Sequence, residues 1–218
     1  MQRRNILKII AIITMTLDHL GEFLFPDLLA LRIIGRIAFP IAAYQIAVGY
    51  KYTSNLKKYA LRLIILAWVT QVPYNFIMGP KLNPAFTLLF GLIAIILWNW
   101  NKAGKVLALV LCVAGVAMPL SYHAYGIFMV FIFEAFSHLS TYRTVMIFIA
   151  LNYVFYVSHE DDGLPIQVFS ILALPFIYLI PDADKKEIRV PKIFENKMFY
   201  YIYYPAHITV IYLISRLV

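Results

Sequence analysis

Asp18 and His19 stand side by side inside the first long apolar run of the chain, Ile6 to Phe25. An imidazole titrates near neutral pH and can serve as a general base. A carboxylate within a hydrocarbon-facing helix costs about 2.5–3.5 kcal/mol on insertion scales, so the pair marks a site with a partner to be found. Other polar residues interrupt apolar runs elsewhere: Arg32 and Arg36, Gln71, and His207. Arg32 and Arg36, four apart, form a cationic stripe on one helix face. Tyr200, Tyr203, Tyr204 and His207 fall at helical spacings that give the last apolar run an aromatic, hydrogen-bonding face. Groups of these kinds can take a proton from a nucleophile and steady a developing oxyanion. Asp18, His19 and His207 would also suit zinc. The chain carries no H-E-x-x-H pair, glycine-rich phosphate loop, nucleophile elbow or haem-ligation motif, and no metal is expected.

The elements that must hold these residues are membrane helices. Of the 218 residues 62% are hydrophobic and 14% charged, and the mean hydropathy is +0.78, which leaves too little polar surface for a soluble domain of this length. Only helices and closed barrels span a bilayer, and apolar runs of about 15–20 residues without period-two alternation read as helices. The expected fold is an all-α polytopic transmembrane helix bundle in a single domain, residues 1–218, with about nine spans (eight to ten). These are 6–25, 32–50, 59–78, 85–100, 106–120, 122–138, 144–157, 165–180 and 198–216. The stretch 106–138 reads either as one hairpin or as a partly re-entrant pair. Arginines precede the run 6–25 as they do a secretory signal, but Asp18-His19 interrupts it and no small-x-small cleavage pattern follows, so it reads as retained. Cys112, the one cysteine, lies in an apolar run and reads as core.

With the N-terminus cytoplasmic, all of the 19 Lys and Arg except Arg32, Arg36, Lys81 and Arg216 fall at inward ends, while Glu22, Asp27, Glu160, Asp161 and Asp162 gather outside. That is a positive-inside pattern; the expected location is a bacterial-type plasma (inner) membrane. The net charge of +8 is then a topology signal; spread over several loops, it offers no single patch to nucleic acid. The segment Pro181 to Glu195 reads as a polar cytoplasmic connector.

At ~1.5 Å rise per residue across a ~30 Å core, Asp18, His19, Arg36 and Gln71 lie ~18–20 Å above the inner face and His207 ~14 Å. Polar side chains from four spans thus share one slab. Asp18 and His19 diverge by about 100° around their helix, so one can act while the other anchors. Asp18 paired with Arg36 is the expected anchor, because a buried carboxylate needs a charged partner. Plainer roles compete. Polar side chains also join membrane helices, which would cover His207, and Glu134 paired with Arg143. His123, His138 and His159 read as loop histidines, and part of the tyrosine excess as an interfacial belt.

Several segments carry a resemblance: LKIIAIITMTLDHLG from Leu7, LRIIGRIAFPIAAYQIAVGY from Leu31, KKYALRLIILAWVTQVPYN from Lys57, LNPAFTLLFG from Leu82 and FYYIYYPAH from Phe199. Together, over nearly the whole chain, they resemble the TraX family of integral membrane proteins. The combination is Asp-His in the first helix, G-R-x-x-F-P at Gly35 to Pro40, Q-x-P at Gln71 to Pro73 and Y-P-x-H at Tyr204 to His207. The resemblance implies an acetyltransferase, since the family takes its name from the conjugal-transfer protein that N-acetylates the amino terminus of pilin. The broad plan is similar to that of polytopic acyltransferases such as the lysosomal glucosaminide N-acetyltransferase, in which a histidine near the outer side of an early helix is implicated. By that analogy His19 is the position carried over. The chain departs from the family where an Asp-Tyr-Gly pattern is expected: Ser121-Tyr122-His123-Ala124-Tyr125-Gly126 keeps the tyrosines without the acid.

On this reading cytoplasmic acetyl-CoA is the acyl donor, and Lys58, Arg62 and Lys197 on the inner rim take its phosphates. His19, Asp18 and His207 form the catalytic set. Arg36, Arg32, Gln71, Tyr74, Asn75, Tyr122 and Tyr204 bind substrate, with Arg36 or a tyrosine holding the oxyanion. The acceptor is an amine reached from the lipid bilayer or the outer side, on a peptide, a pilin-like N-terminus, a sugar or a lipid; the oligomeric state is left open. The alternative is a proton-coupled small-molecule transporter using Asp18, His19, Arg36 and His207, although nine spans divide poorly into two repeats. A non-catalytic membrane partner of a secretion or conjugation apparatus would have little use for a charged slab.

Overall fold

The computed structural model describes residues 2–135, 140–157, 166–180 and 191–217, and of Gln2, Glu195 and Lys197 the backbone alone. The side chain of Lys197, the acids Glu160, Asp161 and Asp162, the connector residues 181–190, His138 and His159 lie outside the described residues. The described chain is helical, without a strand, and each of the nine apolar segments forms helix. In order these are α1 (Gln2–Phe23), α2 (Leu29–Gly35), α3 (Ala38–Tyr52), α4 (Leu56–Met78), α5 (Pro84–Trp98), α6 (Lys102–Ala114), α7 (His123–Ala135), α8 (Thr141–Val157), α9 (Ala173–Leu179) and α10 (Lys197–Ser215). A 3-10 segment, Ile166–Leu172, leads into α9. Two helical stretches, Leu29–Tyr52 and Leu56–Met78, are long and apolar enough to cross a membrane.

The segment expected as a single span at 32–50 is broken. Pro40 has no N–H to offer the Arg36 carbonyl, which favours a kink or break one turn before it. The chain turns at Arg36–Ile37, where the Arg36 N–H is shared between the carbonyls of Arg32 and Ile33, each at 3.2 Å. The stretch 106–138 is two helices. α6 stops at Ala114, Leu120 forms a parallel bridge with Leu82, and α7 starts at His123. His123, read from sequence as a loop residue, begins this helix at φ +42° with Nδ1 on the Met118 carbonyl at 3.2 Å. Asparagines open four of the helices by capping, with Asn55, Asn83, Asn101 and Asn196 accepting from backbone N–H groups at the starts of α4, α5, α6 and α10.

The chain divides into two compact units, Met1–Ala42 with Tyr156–Val218, and Ala43–Phe155. In the first, α1 packs on α2 and α10, and α2 packs on Ile166–Leu172. Two glycines let α1 and α2 meet closely. A Cβ on Gly21 would lie 2.8 Å from the Leu31 Cβ, and one on Gly35 would overlap Asp18. In the second, α5 packs on α4, α6 and α7. α7 is apolar around most of its circumference and buried accordingly, with Ile127, Met129 and Val130 fully enclosed. Cys112 is buried on α6.

Candidate functional site

In the first unit, the ~100° between Asp18 and His19 sends the two side chains to different helices. Asp18 faces α2. Arg36 Nη2 donates to both carboxylate oxygens, and Arg32 Nη1 donates to Oδ1 at 2.9 Å and to the Asp18 carbonyl at 3.2 Å. Three more guanidinium nitrogens are also used: Arg32 Nη2 pairs with Glu22, Arg36 Nη1 donates to Gln167 Oε1 at 3.2 Å, and Arg36 Nε donates to the Arg32 carbonyl at 3.4 Å. Two acids thus balance two arginines around a buried carboxylate, with Gln167 tying the Ile166–Leu172 segment to the cluster. Gly35 makes this geometry accessible, since any side chain there would occupy the space of Asp18.

His19 faces α10. Its Nδ1 lies 2.8 Å from Nε2 of His207, with the ring centroids 5.0 Å apart and the planes 21° from parallel. Both histidines are buried. Nδ1 of His207 donates to the Tyr203 carbonyl at 2.9 Å, and the Tyr203 ring stacks on His207 at 5.1 Å and 7°. Thr16 Oγ1 donates to the Ile12 carbonyl at 2.8 Å, so the Tyr203 hydroxyl, 2.6 Å away, donates to Thr16. Tyr204 also packs on the His207 ring, at 5.7 Å between centroids. Nearer the start of both helices, Lys8 Nζ sits 4.6 Å over the Tyr200 ring.

Among the sequence-derived candidates, the structure therefore gathers Asp18, Arg32 and Arg36 into one cluster, and His19, His207 and Tyr204 into another on the opposite side of α1. The rest of the described candidates lie in the second unit. Gln71 and Asn75 are bound into the α4–α5 connection. Gln71 Nε2 donates to Asn75 Oδ1 and to the Lys81 carbonyl, while its Oε1 accepts from the Asn83 backbone N–H at 3.0 Å and from Asn83 Nδ2 at 2.9 Å. Asn83 Nδ2 also donates to the Ala67 carbonyl, and Asn83 Oδ1 caps α5. The Tyr74 hydroxyl meets Ser121 Oγ at 2.7 Å, and Ser121 donates to the Leu82 carbonyl. Thus Q-x-P and the following L-N-P form a single polar knot. Tyr122 sits at the turn into α7, its carbonyl accepting from the Gly126 N–H. Lys58 is exposed in the first turn of α4. One turn on, the Arg62 guanidinium lies 5.9 Å from the Tyr59 ring centroid, and its buried Nε makes no hydrogen bond among the described residues. Glu134 has Lys51 and Tyr50 as electrostatic neighbours, rather than the expected Arg143.

Gln167 and Thr16 complete the two clusters without having been singled out for them, while Tyr203 was expected on the aromatic face it shares with His207. Gln167 was visible as an amide in an apolar run, and Thr16 as a residue three positions from His19 on the same helical face. Nothing local to Tyr203 announces that its carbonyl holds a histidine. Among the described residues no group of three His, Cys, Asp or Glu side chains is placed to hold a metal.

The chain matches the family model described as TraX protein over residues 3–215. It is 39% identical over 69 residues to an uncharacterized protein of Rickettsia prowazekii, covering 32% of this chain and 26% of that protein. It is 31% identical over 77 residues to the probable fimbrial assembly protein FimC, serogroup H1, of Dichelobacter nodosus, covering 34% of this chain and 32% of that protein. The matched stretches thus span about a third or less of these relatives. No solved structure matches the chain significantly.

Proposed function

The chain belongs to the TraX family, and we propose that it is a polytopic membrane acetyltransferase, moving an acetyl group from cytoplasmic acetyl-CoA to an amine. The buried His19–His207 pair carries this reading. It is a proton-handling group held apart from the Asp18 carboxylate, which is saturated by two guanidinium groups. That saturation favours a transferase over a proton-coupled transporter, because the carboxylate is a brace and the histidine pair is left as the group for proton chemistry.

Two observations support the membrane setting. Leu61, Ile65, Trp68, Val69, Val72 and Phe76 form an exposed apolar stripe along α4, interrupted near its end by Asn75, a surface that suits lipid and not water. The contacts Lys8–Tyr200, Thr16–Tyr203 and His19–His207 advance together along both helices, so α1 and α10 run parallel. If both cross a bilayer, the chain between them crosses an odd number of times, and seven helical segments separate them, Leu29–Tyr52 being one. The basic residues then put the N-terminus inside.

The thioester supplies an activated carbonyl. As the acceptor nitrogen bonds to that carbonyl, the histidine pair takes the amine proton, and it returns a proton to the departing sulfur, so amide and free thiol form and the pair ends unchanged. Tyr204, packed on His207, would steady the oxyanion. Arg62, whose Nε makes no hydrogen bond among the described residues, fits an anionic group, and with Lys58 would hold the donor phosphates. The relative named for fimbrial assembly makes a pilin-type amino terminus the first acceptor to try.

The test is acetyl-CoA binding and turnover by purified protein in nanodiscs. Wild type should bind and transfer. His19→Ala should bind but lose transfer by about 10²–10⁴, the span of general-base effects. Full activity in that variant would remove His19 from the mechanism, and a folded wild type that binds no acetyl-CoA would overturn the reading.

A further inference from the structure

We infer that His207 is a positioning residue, not a second base: it fixes the tautomer of His19 and leaves Nε2 of His19 as the proton-accepting atom. For its chemistry the inference rests on the proposed transferase reading; for its geometry and its first test it does not.

A carbonyl oxygen only accepts, so Nδ1 of His207, 2.9 Å from the Tyr203 carbonyl, must carry the proton. A neutral ring protonated there offers a lone pair at Nε2. The atom 2.8 Å from that lone pair is Nδ1 of His19, which must therefore donate. His19 is then the Nδ1–H tautomer, with its lone pair on Nε2, and among the described residues Nε2 makes no hydrogen bond. The direction of the whole chain is set at one end by a backbone atom, which cannot change its role.

The surrounding contacts hold this arrangement in place. Thr16 and His19, three apart on α1, meet Tyr203 and His207, four apart on α10. The Tyr203 hydroxyl is pinned to Thr16, whose own proton is committed to Ile12. The Tyr203 ring therefore lies flat against His207 and restrains its plane. The result is a closed circuit across two helices in which His207 has both nitrogens engaged and His19 has one to spare. A base needs a free lone pair; of the two residues only His19 retains one.

The first test is a nitrogen-15 spectrum of wild-type protein in nanodiscs, labelled at its five histidines, with assignments from His19→Gln and His207→Gln. The expected result is both rings protonated at Nδ1 and bare at Nε2. Protonation of His19 at Nε2 would overturn the inference whatever the protein catalyses. The second test reads transfer. Gln at 207 places an amide oxygen where Nε2 stood, so His207→Gln should keep activity within roughly tenfold of wild type. His207→Leu should lose roughly 100-fold or more in kcat with KM little changed, and His19→Gln should fall by 10²–10⁴. Equal loss in His207→Gln and His19→Gln would overturn the assignment. If the wild type transfers nothing, the transferase reading fails and the spectrum alone decides the tautomer.

Discussion

Replacing Asp18 with Asn should destabilise the protein severely. Asp18 and Glu22 balance Arg32 and Arg36; the substitution removes one negative charge and leaves the cluster with an excess positive charge. The side chains of Asp18, Arg36 and Arg32 are 11%, 12% and 18% exposed, so water does little to solvate that excess. Asn makes matters worse geometrically, because its amide group turns N–H donors towards a guanidinium. Breaking a buried pair by removing one partner costs about 3–5 kcal/mol. Arg36→Gln alone leaves the opposite imbalance, and the double variant restores neutrality. A double-mutant cycle should therefore show a favourable coupling of at least about 1.5 kcal/mol, the low end of values for close charge pairs. The assay is equilibrium denaturation by SDS in mixed micelles, followed by far-UV circular dichroism. A loss under about 1 kcal/mol for Asp18→Asn, or strict additivity in the double variant, would refute the charge-balance argument.

Other substitutions separate packing, backbone and capping effects, and the same denaturation assay reads each. Gly35→Ala puts a Cβ into the Asp18 side chain and should cost about 1–3 kcal/mol through forced separation of α1 and α2. Gly79→Ala has open space around it but a φ of +72° with a ψ of −163°, a region essentially confined to glycine, and should cost about 1–3 kcal/mol through the backbone alone. Gly79→Asn should fare no better than Ala, because a ψ of −163° lies outside the left-handed region that Asn tolerates, and Gly35→Asn should be worse than Ala. Asn83→Ala removes the cap of α5, about 1 kcal/mol, and strips donors from Gln71 and the Ala67 carbonyl, a further ~1–3 kcal/mol. Asn83→Asp keeps the cap but loses the donors and sets a carboxylate against the Gln71 and Ala67 oxygens at a fully buried position, so it should be no more stable than Ala.

The elements were legible because apolar runs of helical length admit few alternatives, and each became helix. The Asp18–Arg36 contact was legible too, from helical depth and the need of a buried carboxylate for a cation. Pro40 stood in plain sight as the reason for the break at Arg36–Ile37, but a proline near the start of an apolar run also fits an unbroken span. The His19–His207 contact required knowing that α1 lies beside α10, a pairing between residues 188 positions apart that no local pattern encodes. Gln71 shows the limit of depth as a guide. Its height in the span fits the polar slab, yet its amide is used by the loop that follows its own helix, because the end of α4 and the start of α5 must satisfy their own backbone groups first.

The most direct test uses sealed proteoliposomes with the protein oriented, labelled acetyl-CoA on the cytoplasmic-facing side and a pilin-type amino-terminal peptide on the other. The account predicts label on the peptide amine with wild-type protein and none above background with His19→Ala. Folded wild-type protein that leaves the peptide unlabelled, while driving solute uptake under a proton gradient, would contradict it and make the histidine pair part of a transporter.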